Sequence, residues 1–257
     1  MHSLSHGSIS NHLNLNALPK NLPTVAMMEK IQLERKNLLK QKCSELKLKS
    51  KTSPRPVRFK IEDRHRVMYC EVPKAATTNL KGLMLVLSEE PFERLVSAYE
   101  SKFGSTVIDD RYQRGVGTNI IRKYRQNPTA ISLEKGDDVT FVEFVNFVID
   151  KWKLPKERMD AHWLSAIELC FPCSIEYDFI GKVETLEQDV SFLLQKLNET
   201  DLIPSFQEKQ KAPNTTQSVW RQTMKQLNQQ QMEDLISIYA ADFQIFGYPL
   251  DNPLQNV

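Results

Sequence analysis

The chain has 257 residues, 40% of them apolar and 26% charged, which suits one sizeable globular domain and excludes a wholly disordered or fibrous chain. Its longest apolar run, Leu83–Leu87, is five residues, far short of the roughly 20 that span a bilayer. The N-terminus has no basic, apolar secretory pattern. Residues 1–60 hold twelve Lys/Arg and three Glu, a balance of +9 against a net charge of +2, so the rest carries −7. That asymmetry reads as an appended basic segment before a mildly acidic domain. With Phe59 as its only ring, the segment lacks the interleaved aromatics of a single-strand binder, and no nucleic-acid partner is expected.

In chain order, a solvated stem helix is predicted over Met27–Leu48, followed by a Pro/Ser linker at Ser50–Pro56. Val67–Val72 alternates as a strand and Pro73 ends it. After the loop PKAATT, Asn79–Leu87 is apolar at helical spacing, giving strand–loop–helix, the arrangement that offers free N–H groups to an anion. Pro91–Phe103 is a second helix, with Pro91 at its first position and Gly104 stopping it. Ser105–Gly136 reads as loop with a short basic helix near Ile120–Gln126. Thr140-Phe-Val-Glu143 is a capping box opening a helix to Trp152. A helix over Ala161–Leu169 and a strand over Ile175–Ile180 come next. Thr185-Leu-Glu-Gln188 is a second capping box for a helix to Leu197, Pro204–Ser218 is linker-like, and a last helix spans Leu227–Phe243. Alternating strands and helices predict an α/β domain with a parallel sheet.

Four cysteines, Cys43, Cys70, Cys170 and Cys173, and two sequons, Asn198-Glu-Thr200 and Asn214-Thr-Thr216, lean toward an oxidising, glycosylating compartment. Three disulfide pairings are open. CFPC has neither a second CxxC nor a His pair, so no metal site is expected.

Two segments carry the chemistry: CEVPKAATTNLK (Cys70–Lys81) and EPFERLVSAY (Glu90–Tyr99). They resemble the Golgi carbohydrate sulfotransferases of the chondroitin, dermatan and N-acetylgalactosamine 4-O type. The blocks NIIRKYRQNP, TFVEFVNFVID, HWLSAIELCFPCSIEYDFIGKVETLEQD and DFQIFGY follow in the family's order, so the likeness covers roughly residues 65–248. It implies a P-loop-like sulfotransferase fold with a central parallel sheet, and 3′-phosphoadenosine 5′-phosphosulfate (PAPS) as co-substrate. It also implies a glycan acceptor and a lumenal Golgi location through a membrane anchor that this sequence does not show. Domain bounds are then 1–64 for the basic stem and linker, 65–250 for the sulfotransferase domain and 251–257 for a tail.

In that family the PKxxxTN loop holds the 5′-phosphosulfate. By resemblance Pro73, Lys74, Ala75, Ala76, Thr77, Thr78 and Asn79 take that role here. Lys74 would stabilise the charge that develops on the leaving phosphate. Arg94 and Ser97 would face the 3′-phosphate, and Asn198 and Asn214 would carry glycans. Arg122, Lys123 and Arg125 are candidates to grip an anionic glycan or are a solvated basic turn, and His162, which resembles the family's HW block, is expected to be a packed or structural histidine.

The chain also departs from the family. Lys74 and Glu90 are only 16 positions apart, where the family has some tens of residues including a strand. A parallel strand needs a crossover of about a dozen residues, so no second central strand is expected. Glu89 stands where the family has the arginine that holds the 3′-phosphate. The resemblance thus implies a form shortened near residues 87–90, with either normal or impaired turnover.

Overall fold

The structure, a computed structural model, describes residues 23–48, 59–62, 67–70, 86–104, 110–154, 159–197, 199, 217–250 and 252–254. In chain order the elements are α1 (Val25–Glu45), β1 (Phe59–Glu62), β2 (Val67–Cys70), β3 (Val86–Ser88), α2 (Pro91–Phe103) and the single turn α3 (Asp110–Tyr112). A π-type turn at Gln113–Gly117 runs into α4 (Thr118–Tyr124), followed by α5 (Ala130–Lys135), α6 (Phe141–Trp152), α7 (Ala166–Cys170), β4 (Ile180–Lys182), α8 (Leu186–Lys196), α9 (Gln217–Met224) and α10 (Gln229–Phe246).

Sheet is sparse among the described residues. β1 and β2 form an antiparallel pair, Phe59 opposite Cys70. β3 and β4 form a parallel pair, Val86 opposite Ile180 and Ser88 opposite Lys182. Of the expected central parallel sheet, the described residues show one three-residue pairing. That pairing also corrects the expectation that no second strand fits. Val86–Ser88, the end of the apolar run assigned to a helix, is extended and leads straight into α2. Tertiary pairing with β4 overrides local helical spacing here.

The core is mostly helical. α2 buries Phe92, Leu95, Val96 and Phe103, and Phe92 meets Phe243 of α10 edge-on at 4.9 Å. α6 begins in the predicted capping box, with both reciprocal bonds between Thr140 and Glu143 made. Its Phe141 and Phe144 close on Tyr99 of α2. α10 starts in a further capping box, Asn228 with Gln231, and ends at Gly247, whose φ of 66° suits a residue without Cβ.

Several boundaries move. The helix expected over Ala161–Leu169 is only Ala166–Cys170, because Asp242 of α10 accepts hydrogen bonds from the Ala166 and Ile167 N–H groups and fixes the start there. The strand expected over Ile175–Ile180 forms at Ile180–Lys182, continuing through Gly181. Thr185 makes no capping bond to the backbone; its hydroxyl instead bonds Asp189 and the Arg35 guanidinium. α9 extends into the end of the stretch read as linker.

The largest correction concerns α1. The predicted helix is present, but it is not solvated: Met28, Gln32, Leu39 and Cys43 are buried on one face. Gln32 exchanges bonds with both the carbonyl and the N–H of Ile180. Arg35 reaches the fully buried Asp189 at 2.7 Å. Disulfides Cys43–Cys173 and Cys70–Cys170 tie α1 and β2 to the CFPC segment. Contacts therefore cross the expected stem boundary at residue 64. Each bridge closes a loop of 100 residues or more, a constraint worth about 4–5 kcal/mol in the chain-entropy account.

Candidate functional site

β3 and β4 run parallel, and α2 starts immediately beyond the C-terminal end of β3. In open α/β sheets that end is where ligands bind. The head of α2 is acidic. Glu90 caps the helix by accepting from the Glu93 N–H, and the Glu90 N–H donates to Glu184 Oε1 at 3.1 Å. Glu184 Oε2 accepts from Tyr248 OH at 3.0 Å, and that hydroxyl lies 3.0 Å from Ser88 Oγ. Lys182 Nζ sits 4.3 Å above the Tyr248 ring.

Glu89 Oε2 is buried without a hydrogen-bond partner. Burial pushes the Glu89 carboxyl up to about 8, against the pull of Arg94 and with the repulsion of Glu93, Glu184 and Glu90 adding to it. Burial likewise lifts Glu90 to about 7 and raises Glu93. Lys182 is held below the usual ammonium range, chiefly by burial and then by Arg35. At neutral pH this cluster holds protonated or poorly compensated carboxyls.

Arg94 does not face outward. It is 2% exposed, and Nη1 and Nη2 donate to the carbonyls of His162 (3.2 Å) and Leu164 (2.6 Å). The expected direct grip on a 3′-phosphate is thus replaced, in this structure, by a guanidinium turned into the domain. Ser97, one turn further along α2, is half-buried. Pro73, Lys74, Ala75, Ala76, Thr77, Thr78 and Asn79 lie outside the described residues, as do Asn198 and Asn214.

The basic stretch is spoken for. Arg125 forks onto Glu143 with Nε and Nη2, both at 2.8 Å, and reaches Asp138 at 2.6 Å. Lys123 pairs with Asp150 at 2.7 Å, and Arg122 donates to Asn119. Of the three candidates for gripping a glycan, Arg125 is committed to internal structure.

His162 is held in a hydrogen-bonded cluster. Its Nδ1 is 2.6 Å from Asp160 Oδ1 and 3.1 Å from Tyr112 OH, and Tyr112 OH donates to Asp160 Oδ2 at 2.8 Å. Burial alone would raise Asp160, but bonds from the His162 side chain, the His162 N–H and Tyr112 outweigh it and hold the carboxyl at about 2. Sequence reasoning missed Asp160 and Tyr112. The spacing Asp160-Ala-His162 was the available signal, whereas nothing local marks Tyr112, which arrives from 50 positions away.

Among the described residues no group of His, Cys, Asp or Glu is arranged to hold a metal, and no helix is long and apolar enough to cross a membrane.

The profile of the sulfotransferase family matches residues 57–90 and 89–249. Carbohydrate sulfotransferase 11 of Mus musculus is 32% identical over 241 residues, covering 76% of this chain and 68% of that protein. Carbohydrate sulfotransferase 14 of Danio rerio is 33% identical over 75% of this chain and 62% of its own length. Carbohydrate sulfotransferase 8 of Homo sapiens is 30% identical over 86% of this chain and 63% of its own length. No solved structure matches. The profile breaks at Glu89–Glu90, and the 241-position alignment draws on only 76% of 257 residues. The relative therefore carries a few tens of residues that this chain lacks.

Proposed function

Since the chain belongs to the sulfotransferase family, we propose that it transfers a sulfuryl group from PAPS to a hydroxyl of a carbohydrate, with O-4 of N-acetylgalactosamine in chondroitin, dermatan or N-glycans as the acceptor. The observation that supports this most is the ordered match of both chemistry-bearing segments, PKAATTN and PFERLVS, to one family.

Lys74 is the residue assigned to the sulfate and the leaving phosphate. Thr77, Thr78, Asn79 and the backbone of Pro73, Ala75 and Ala76 hold the 5′ side. Ser97 takes the 3′ side directly, and Arg94 supports it from beneath through its charge. Positioning and electrostatics supply most of such an in-line displacement. The scheme calls for no metal. Two disulfides using all four cysteines favour an oxidising lumen, in keeping with a Golgi location, with Asn198 and Asn214 as glycan acceptors and membrane association only through an anchor.

A second reading has one specific observation behind it. Glu89, whose Oε2 is buried without a hydrogen-bond partner, stands where the resemblance sets a phosphate-binding cation, so this form would hold PAPS weakly and turn over slowly. Titrating the purified chain with the product nucleotide, 3′-phosphoadenosine 5′-phosphate (PAP), and measuring radiolabelled sulfate transfer to desulfated chondroitin tests both. Micromolar binding with sustained transfer supports the enzyme; no binding up to millimolar nucleotide supports the impaired form.

A further inference from the structure

The 3′ side of the donor site is short of a cation. Arg94 donates inward to the His162 and Leu164 carbonyls, and position 89 holds a glutamate whose Oε2 is buried without a partner. A phosphate monoester carries about two negative charges near neutral pH, which the Ser97 hydroxyl alone does not offset. The burial of α2 leaves a stripe for such a group. Phe92, Leu95, Val96 and Ala98 face the core. Glu93, Ser97 and Glu100, at i, i+4 and i+7, run along the less buried side.

α9 packs along α2 and carries two adjacent residues with the missing chemistry. Trp220 is 5% exposed, and its indole Nε1 is a buried donor with no acceptor. Buried donors in folded proteins are nearly always paired, so an orphan of this kind calls for an acceptor from outside the fold. Arg221 holds its guanidinium over the same indole, 4.6 Å from the ring centre. Its charge acts on Glu93, one turn before Ser97, which sets it beside the open stripe of α2. A guanidinium lying over an aromatic face is pre-organised, and its planar fork matches phosphate oxygens in a way that an ammonium does not. Burial raises the Glu93 carboxyl and weakens it as a counter-ion, so a phosphate is the better partner for Arg221.

We propose that Arg221, together with the Trp220 indole N–H, binds the 3′-phosphate of the nucleotide donor over the Glu93–Ser97 side of α2, in place of the cation lacking at position 89. This rests on the sulfotransferase reading above and deepens it by naming a residue that sets donor specificity. Arg221 supplies the charge and the fork, Trp220 Nε1 gains the acceptor it lacks, and the Ser97 hydroxyl donates from α2. The bound phosphate thereby bridges α2 and α9. Nucleotides without a 3′-phosphate gain nothing from this set of donors and are selected against.

The test uses the full chain with both disulfides formed and reads nucleotide affinity by calorimetric titration, which does not depend on turnover. The probes are PAP and adenosine 5′-monophosphate, which lacks the 3′-phosphate. Arg221→Gln is expected to lower PAP affinity by about 10–100-fold, while affinity for adenosine 5′-monophosphate and the unfolding midpoint stay at wild-type values. PAP affinity within about twofold of wild type, well under that range, overturns the proposal. So does an equal loss for both nucleotides, because Arg221 would then serve their common part or the fold. Should that variant not fold, the indole N–H spectrum of the wild type decides. PAP, and not adenosine 5′-monophosphate, is expected to shift one of the three tryptophan signals, the one that Trp220→Phe removes. Identical spectra with the two nucleotides overturn it. Wild type that binds no PAP up to millimolar concentration refutes the PAP reading and this proposal together. Equal PAP affinity in wild type and Arg221→Gln refutes this proposal alone.

Discussion

Around Arg125 and around the head of α2 the chain gathers carboxylates at similar density, with opposite results. Arg125 meets Glu143 and Asp138 with a full fork of hydrogen bonds. Both acids are held below the ordinary range, because those bonds outweigh the burial that would raise them. At the head of α2, Glu89, Glu90 and Glu93 are all raised, chiefly by burial. Arg94, a buried cation nearby, spends its terminal nitrogens on carbonyls. The Arg125 knot lies within a single uninterrupted family match, whereas the α2 head sits where that match breaks. Among the described residues, the uncompensated charge at the α2 head thus lies at the place where the family match breaks.

Breaking the satisfied side should cost most. Arg125→Met leaves Glu143, whose side chain is 11% exposed, and Asp138 without their cation. Stranding a partly buried carboxylate is worth about 3–4 kcal/mol, so the urea midpoint should drop sharply. A shift below about 1 kcal/mol, the range of an exposed pair, would show the knot to be ornamental.

Relieving the unsatisfied side should do the reverse, and with a pH signature. Glu89 is held at about 8 and Glu90 at about 7. Below about 4.5 the folded and unfolded chains carry the same protons. As pH climbs from there through 7 and 8, the unfolded chain releases protons that the folded chain keeps. Stability therefore falls, by up to about 1.4 kcal/mol per pH unit for each group. Glu89→Gln should be near neutral at pH 5 and stabilising by about 2–3 kcal/mol at pH 8. Equal effects at both pH values would contradict the raised carboxyl. Asp160, held at about 2, acts oppositely: its contribution is present above the ordinary carboxylate range and is lost as pH falls through 2.

Glu89→Arg sharpens the functional side of the comparison. Replacing an uncompensated acid by a cation at the helix head should tighten PAP binding at least tenfold, about 1.4 kcal/mol, by calorimetric titration at low salt. No change would mean that the 3′-phosphate is not read at this end of α2.

Much of the helical scaffold was legible because its signals are local. Pro91–Phe103 and the Thr140 capping box formed as periodicity and capping chemistry dictate. What was not legible depends on partners distant in sequence. α1 carries no apolar stripe worth the name, and is buried through Gln32, Arg35 and Cys43, whose partners lie 130 or more positions away. Thr185 reads as a cap but is drawn off by Asp189 and Arg35. At the site, motif likeness singled out Arg94 and Ser97 on one helix, yet the inward turn of Arg94 is set by carbonyls of the His162 loop. The Asp160–His162–Tyr112 cluster needed the fold to bring its third member in.

The smallest expected effect is also the control for the comparison. Lys123 and Asp150 approach as closely as Arg125 and Asp138, at 2.7 against 2.6 Å, so distance alone predicts equal worth. Exposure predicts otherwise. The Lys123 side chain is 60% exposed against 21% for Arg125, and solvent screening and side-chain entropy leave such a pair worth about 0.2–1 kcal/mol. Asp150 also keeps the Tyr124 hydroxyl as a donor when the lysine is gone. Lys123→Ala should therefore lower stability by about 0.5 kcal/mol or less, shrinking further in 0.5 M salt. A loss as large as that of Arg125→Met would mean that pairing geometry, and not burial, separates the two charged regions, and the argument for Glu89 would fall with it.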